Sequence, residues 1–318
     1  MKRNMIILVS VLLAVTLAVG GSIAMANNGT DIDKELSQSE ASLGDYITVT
    51  LNVTDGVAGQ KVVDTLPDPL KYINGTLNVT GGNATCVTSE GEINCTLAEN
   101  ATYTITFDVQ VTSTEAGNIT VTNNATVPVA NISASAELLI TPYEGFTKKV
   151  VNCTEADAYN VTIETDVDWW VELEVLNVPG DNITTMEDVV VKDRLGGDLE
   201  LLEVNGAPVT QPANKKDSDT IGNVTVMWTG KTLKAHITWD VGDLDEGDSA
   251  NVTLLVSTDM NPGHGNGKNL KFPDGHQEYT EAGEHDLNSG AVLKFTDPDT
   301  GFQLSAHTPP ITVVAFEP

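Results

Sequence analysis

Tyr46-Ile47-Thr48-Val49-Thr50-Leu51-Asn52-Val53 sets an apolar side chain at every second position from Ile47 and a polar one between. Successive side chains of a strand point to opposite faces, so this stretch has one face for a core and one for water. The same alternation returns in Tyr103-Thr104-Ile105-Thr106-Phe107-Asp108-Val109 and in Ile119-Thr120-Val121-Thr122. Later examples are Val171-Glu172-Leu173-Glu174-Val175-Leu176 and Val252-Thr253-Leu254-Leu255-Val256. Val and Thr dominate these runs, and Gly, Asp, Asn and Pro separate them at intervals of about ten residues. No segment after residue 26 keeps an apolar period of 3.6. The reading is all-β: antiparallel sheets packed face to face.

The pattern occurs twice. Val62-Val63-Asp64-Thr65-Leu66-Pro67-Asp68-Pro69-Leu70 is echoed by Val190-Val191-Lys192-Asp193-Arg194-Leu195-Gly196-Gly197-Asp198-Leu199. An alternating strand opened by Asp precedes each (Asp45-Tyr46-Ile47; Asp168-Trp169-Trp170), and a polar turn leading into a long strand follows each. Two copies in one order predict tandem domains. Thr141-Pro142-Tyr143-Glu144-Gly145 is the natural boundary, giving domains over 27–141 and 142–318, the second with an extended C-terminal region.

Lys2 and Arg3, the apolar run Met5–Gly20 and Ala24-Met25-Ala26 have the layout of a secretory signal over residues 1–26, cleaved after Ala26. The run is short for a spanning helix, which needs about 20 residues, so an uncleaved anchor is the lesser reading. No second run of that length follows. The expectation is a secreted chain at the extracellular cell surface, with no membrane insertion after cleavage. Its 45 acidic residues against 16 basic repel nucleic acid and anionic lipid as partners. With 40% apolar residues in alternating runs, the acidity is not that of a disordered chain.

Fifteen Asn-x-Ser/Thr sequons follow the leader: Asn28, Asn52, Asn74, Asn78, Asn83, Asn94, Asn100, Asn118, Asn124, Asn131, Asn152, Asn160, Asn182, Asn223 and Asn251. At this density, behind an export signal, they predict a glycoprotein. The competing account is a Thr- and Asn-rich β-sheet in which few sites are modified. Cys86 and Cys95 flank a turn-rich stretch centred on Glu90-Gly91; a hairpin there would face them across two strands and form a disulfide in an oxidising compartment. Cys153, the third cysteine, has no partner left in the chain, and is buried, unpaired, or paired between molecules.

Lys34, Gly44-Asp45, Asp64-Thr65-Leu66-Pro67 and Asn123-Asn124-Ala125-Thr126-Val127 resemble the conserved-repeat surface domain known as domain of unknown function eleven, common on archaeal and bacterial exteriors. In the second half Lys149 and Asp193-Arg194-Leu195 fit, Gly196 replaces the proline, and Leu287-Asn288-Ser289-Gly290-Ala291 closes the pattern. That half looks like the variant found on surface proteins of methanogenic and related archaea. The resemblance implies Ig-like sandwiches used as spacer, stalk or lattice modules, with no enzymatic activity. It extends to Gram-positive pilin domains, where a first-strand Lys, an Asp and a late Asn form an isopeptide bond. Carried over, those roles fall on Lys34, Asp64 and Asn123, and on Lys149, Asp193 and Asn288. Burial favours the chemistry, since desolvation yields a neutral amine and a protonated acid. The plainer account is solvated lysines and turn-forming aspartates.

Asp243, Asp245 and Asp248 in one loop, and Asp297 and Asp299 in another, offer calcium the oxygen ligands it takes. Neither loop has EF-hand spacing, and solvated turns are the stronger reading. No other cofactor is implied. His264, His276 and His285 fall in a polar stretch with no metal-ligand spacing. Of Trp169 and Trp170 one should face the core and the other outward, for interdomain packing or for stacking on sugar. No nucleophile elbow, zincin motif or phosphate loop is present. The expectation is a non-catalytic structural protein of a surface layer, sheath or filament, self-associating or binding other surface proteins. The alternative is an adhesin or carbohydrate-binding module.

Overall fold

The computed structural model describes residues 29–154, 157–162, 167–195, 199–209, 218–229, 234–257 and 283–316; the leader, Asn28, Gly196, His264 and His276 lie outside them. Twenty-six strands and no helix form among these residues. The first twelve are β1 (Asp31–Leu36), β2 (Glu40–Ala41), β3 (Tyr46–Gly56), β4 (Lys61–Thr65), β5 (Leu70–Tyr72), β6 (Asn78–Thr80), β7 (Ala84–Ser89), β8 (Glu92–Leu97), β9 (Ala101–Val111), β10 (Ser113–Thr114), β11 (Ile119–Val127) and β12 (Ile132–Ile140). The rest are β13 (Phe146–Cys153), β14 (Asn160–Thr162), β15 (Asp168–Leu176), β16 (Thr185–Arg194), β17 (Glu200–Val204), β18 (Ala207–Pro208), β19 (Ser218–Ile221), β20 (Val224–Thr229), β21 (Lys234–Asp245), β22 (Ser249–Ser257), β23 (Gly283–Asn288), β24 (Val292–Thr296), β25 (Gln303–His307) and β26 (Ile311–Phe316).

Two apolar cores organise them. In the first, the sheet β1-β3-β9-β5, with β6 also on β9, faces the sheet β2-β12-β11-β4-β8-β7. Ile47, Val49, Leu51 and Val53 of β3 meet Tyr103, Ile105, Phe107 and Val109 of β9 in register on one face, and all eight are at most 1% exposed. The opening stretch thus buries the face its alternation assigns. Each fully buried Val, Leu or Ile contributes about 1.5–3 kcal/mol, so this pair of strands anchors the core. The second core lies between the sheet β25-β24-β16-β21-β20-β19 and the sheet β13-β15-β22-β17-β18. A third sheet, β14-β26-β23, adds to it, with β23 and β26 drawn from the extended C-terminal region. Three short pairs are parallel rather than antiparallel: β2 with β12, β14 with β26, and β10 with β25.

The parallel pair β10–β25 carries the seven-stranded sheet across from one core to the other, Ser113 beside Ser305 and Thr114 beside Ala306. Leu43, early in the chain, packs into the second core. Next to it Gly44 has φ of 85°, and a Cβ there would meet Ile183 at 2.6 Å, so glycine meets both the backbone and the packing demand. Between the cores the Gln110 amide donates to Asp297 Oδ2 at 2.7 Å, and Thr300 Oγ1 donates to Gln110 Oε1 at 2.8 Å. Gln110 and Asp297 are both 0% exposed.

β7 and β8 form the hairpin at the edge of the first core, and Cys86 and Cys95 are register partners joined by a disulfide. Closing a loop of nine-residue separation limits the unfolded chain, so replacing both cysteines by alanine should cost about 2–3 kcal/mol on the chain-entropy account. Chemical denaturation with and without reductant reads it; an unchanged midpoint would refute the estimate.

Candidate functional site

Among the described residues each core holds one buried lysine. On β1 the positions Ile32, Lys34 and Leu36 point inward, and Lys34 Nζ donates to Asp64 Oδ2 at 2.6 Å with both side chains 0% exposed. Asp64 lies on β4 opposite Ala125 of β11, and Asn123 shares that inner face two residues along. A diagonal neighbour of this kind is within side-chain reach. β1 belongs to the facing sheet and packs against β11 and β12, so the cluster spans the sandwich. Asn123 is 1% exposed, and neither atom of its amide has a hydrogen-bond partner; Asp64 Oδ1 also has none. A buried polar group left unpaired costs about 1–3 kcal/mol, so this arrangement requires an explanation.

The second core repeats the cluster with a different lysine. Phe146, Lys148 and Val150 are the inward positions of β13, matching Ile32, Lys34 and Leu36. Lys148 Nζ lies 3.2 Å from Asp193 Oδ1, both side chains 0% exposed, and also donates to the Ser289 carbonyl. The Asn288 amide donates to Asp193 Oδ2 at 2.9 Å, while Asn288 Oδ1 has no partner. Asn288 bridges Leu195, two residues from Asp193, as the β4–β11 ladder extended by one residue sets Asn123 opposite Leu66. The assignment of Lys149 is therefore corrected: it is on the outer face, half exposed, paired with Glu172 at 3.0 Å and Glu174 at 3.5 Å. The apolar neighbours contain the signal that separates the two lysines, because Phe146 fixes which alternate positions of β13 enter the core.

Burial lowers the Lys34 amine to about 8, outweighing the nearby Asp64 charge and hydrogen bond. Burial likewise raises the Asp64 carboxyl against the opposing pull of Lys34. Lys148 is lowered by burial, with Asp193 opposing. In the first core both partners are thus pushed toward their neutral forms, the forms that acyl transfer from the asparagine requires. In such a transfer a neutral Nζ would attack Asn Cγ, the carboxylic acid would protonate the amide oxygen, and Nδ2 would leave as ammonia. The products are one lysine–asparagine amide and one ammonia, with no water consumed and no oxidant needed. In the second core a half-turn of the Asn288 amide would bring Oδ1 to Asp193.

A pH dependence follows for the uncondensed first cluster. Lys34 holds its proton less tightly folded than unfolded, so its penalty on the native state is full below about pH 8 and gone above 10.5. Stability should rise across that window. Asp64, with its raised value, acts in mirror fashion: its penalty is relieved as pH falls through that value. Asn123→Ala blocks condensation and should show the alkaline rise, measured as urea midpoints against pH. A condensed wild-type chain has no Lys34 proton to release and should lack that increment. Identical profiles would argue that no bond forms.

The five aspartates read as calcium ligands are not brought together. Asp297 is a buried acceptor at the joint, taking Gln110, Thr300 and the Asp299 amide, with the Tyr46 hydroxyl bonded to it as well. Burial and the charges of Asp297 and Asp299 raise the Tyr46 hydroxyl to about 12. Asp243 caps the Asp188 amide, Asp245 accepts from Thr185, Asp299 accepts from Thr184, and Asp248 is exposed in the β21–β22 turn. Among the described residues no three His, Cys, Asp or Glu side chains converge on a metal position. Sequence reasoning missed Gln110 and Thr300, whose partner in the joint is remote along the chain.

Of the fourteen sequon asparagines in the described residues, twelve are exposed and Asn52 and Asn94 are half-buried. The buried asparagines Asn123, Asn177 and Asn288 all lie outside sequons. Trp169 is 0% exposed and donates to the Ala158 carbonyl, whereas Trp170 faces outward, half-buried, beside the sequon residue Asn152. Cys153 is half-buried on β13 opposite Trp169. No helix among the described residues is long and apolar enough to cross a membrane.

No protein-family model matches the chain, and no curated protein does. Among solved structures it is similar to the C-terminal domain of the Streptococcus pyogenes antigen I/II-family protein AspA, at 10% identity and TM-score 0.32, over 90% of this chain and 100% of that one. It is similar to the collagen adhesin CNA from S. aureus at 11% identity and TM-score 0.25, over 91% and 95%. Domains D2 and D3 of the major pilin SpaD from Corynebacterium diphtheriae give 12% identity and TM-score 0.26, over 86% and 88%. Likenesses this loose carry no argument about the chain.

Proposed function

We propose that this chain is an exported, glycosylated, non-catalytic structural module of the cell exterior. It is built of two tandem Ig-like units over residues 27–141 and 142–318, each closed by a lysine–asparagine crosslink that it forms itself. The observation that carries this reading is the pair of buried Lys–Asp–Asn clusters at equivalent strand positions in the two cores. Each bond would tie the first strand of its core to a late strand, Lys34 of β1 to Asn123 of β11 and Lys148 of β13 to Asn288 of β23. Such a tie holds the strands that pulling would separate first. It suits a stalk, filament or layer and has no purpose in a soluble catalyst.

The partition of asparagines supports the glycan part of the reading: none of the described sequon asparagines is buried, and the three buried asparagines lie outside sequons. The outward Trp170 supports an adhesin or lectin reading less well, because a glycan on Asn152 would lie against its ring. Intact mass of the deglycosylated chain tests the proposal. The expected result is a deficit of two ammonias, with tandem mass spectra placing the branches at Lys34–Asn123 and Lys148–Asn288. A full, unbranched mass would overturn the crosslinked-module reading.

A further inference from the structure

The described cations are unevenly placed. Lys34 and Lys148 are buried, Lys71 pairs with Glu90, Lys149 pairs with Glu172 and Glu174, and Lys61 stands exposed on β4. Three more, Lys192, Arg194 and Lys294, are exposed on one outer face, that of the seven-stranded sheet. Lys192 and Arg194 alternate along β16; Lys294 is on the neighbouring β24, opposite Val190. Among the described residues no carboxylate pairs with any of the three, although the chain holds 45 acidic residues. Two carboxylates share the face without pairing: Glu187, exposed on β16 opposite Thr296 and so diagonal to Lys294, and Asp240, in the row of Lys294 two strands away, about 10 Å by strand spacing. None of the strands of this sheet bears a sequon asparagine; Asn223 is at its rim, in the β19–β20 turn. A bare cationic face on an acidic, sequon-covered chain is a contact surface for an acidic partner.

The chain itself carries a matching surface. Strand β1 ends its sheet, and its outward residues are Asp31, Asp33 and Glu35, all exposed. Their neighbours across β3 are Thr54, Asn52 and Thr50, and among the described residues no cation pairs with them. Alternate residues of a strand repeat at about 6.6 Å, the same interval on the acidic stripe as between Lys192 and Arg194. We infer that the outer face of β16 and β24 docks the β1 stripe of a second copy of this chain. The two surfaces differ, so the contact is heterologous and propagates from copy to copy, into a ring where its rotation closes and an open filament where it does not. Asn52 lies within the contact; its Oδ1 accepts from Thr104 at 3.0 Å, which holds the amide against the sheet, and the docked form requires it unglycosylated.

This inference rests on the proposed scaffold role, which the ammonia deficit tests separately. The decisive experiment is sedimentation velocity on the secreted chain. Wild type should self-associate at low ionic strength and dissociate as salt is added, since exposed charges are screened. K192E/R194E/K294E and D31K/D33K/E35K should each weaken association on the order of 100-fold, because like charges then face each other. Mixing the two variants should restore it, since each then offers the other both complementary surfaces. All six positions are exposed, and unchanged melting of each variant will show that the fold is intact. A monomeric wild type, a K192E/R194E/K294E variant that assembles normally, or a mixture that stays monomeric would each overturn the inference. Retention of a polyanion by a monomeric wild type would reassign the face to an acidic polymer.

Discussion

Asp64→Ala is expected to leave the first core unlinked, with no ammonia lost from Lys34 and Asn123, and to destabilise it by about 3–5 kcal/mol. The magnitude is that of removing one partner from a buried pair, since without Asp64 the Lys34 amine must give up its proton and stand without its hydrogen-bond acceptor at a position 0% exposed. For a unit of this size each kcal/mol moves the melting temperature by about 4–8 °C, so the shift should be plain in a thermal scan. Asp193→Ala should act alike on the second core, where it also removes the acceptor of the Asn288 amide. Replacing Lys34, Asp64 and Asn123 together by apolar residues of similar volume should recover most of the stability while leaving the core unlinked. That contrast separates the cost of an orphaned amine from the contribution of a covalent tie. If Asp64→Ala keeps the mass deficit and the melting temperature of wild type, the carboxyl has neither role.

The second large effect should come from Trp169. Its ring is 0% exposed in the second core, on a strand paired with β13 on one side and β22 on the other. Trp169→Ala should cost about 3–5 kcal/mol, the sum of lost transfer free energy and the cavity left behind. Trp170→Ala, one residue away on the outer face, should cost less than about 1 kcal/mol. Urea unfolding of the two variants tests both the magnitude and the alternation of β15. Equal losses would mean that the strand is out of register.

The strands and their inner faces were legible because burial in a sheet repeats every two residues, and β3 and β9 display that repeat without interruption. The β7–β8 hairpin was legible for a related reason: its register is local, set by the turn at Glu90-Gly91. Choosing between Lys148 and Lys149 needed the phase of β13, which Phe146 supplied, whereas matching motif positions counted from the wrong lysine. The acidic loops misled because Asp favours turns whatever else it does, and residue type does not tell a solvated Asp245 from a buried Asp297. The partner of Asp297 is 187 residues away in sequence, and no local pattern predicts a contact of that separation. The same holds for the parallel pair β10–β25 and for the third sheet, whose strands β14 and β26 come from opposite ends of the second half.

The joint around Gln110 and Asp297 has a geometric consequence. A linker that pivots would let every subunit of a polymer choose its own bend, and long-range order would decay within a few repeats. Here a continuous ladder and a buried amide–carboxylate contact fix that bend within the subunit. Pitch and curvature of any assembly would then be inherited from one angle, so replacing Gln110 should alter the shape of the polymer before it alters whether the polymer forms.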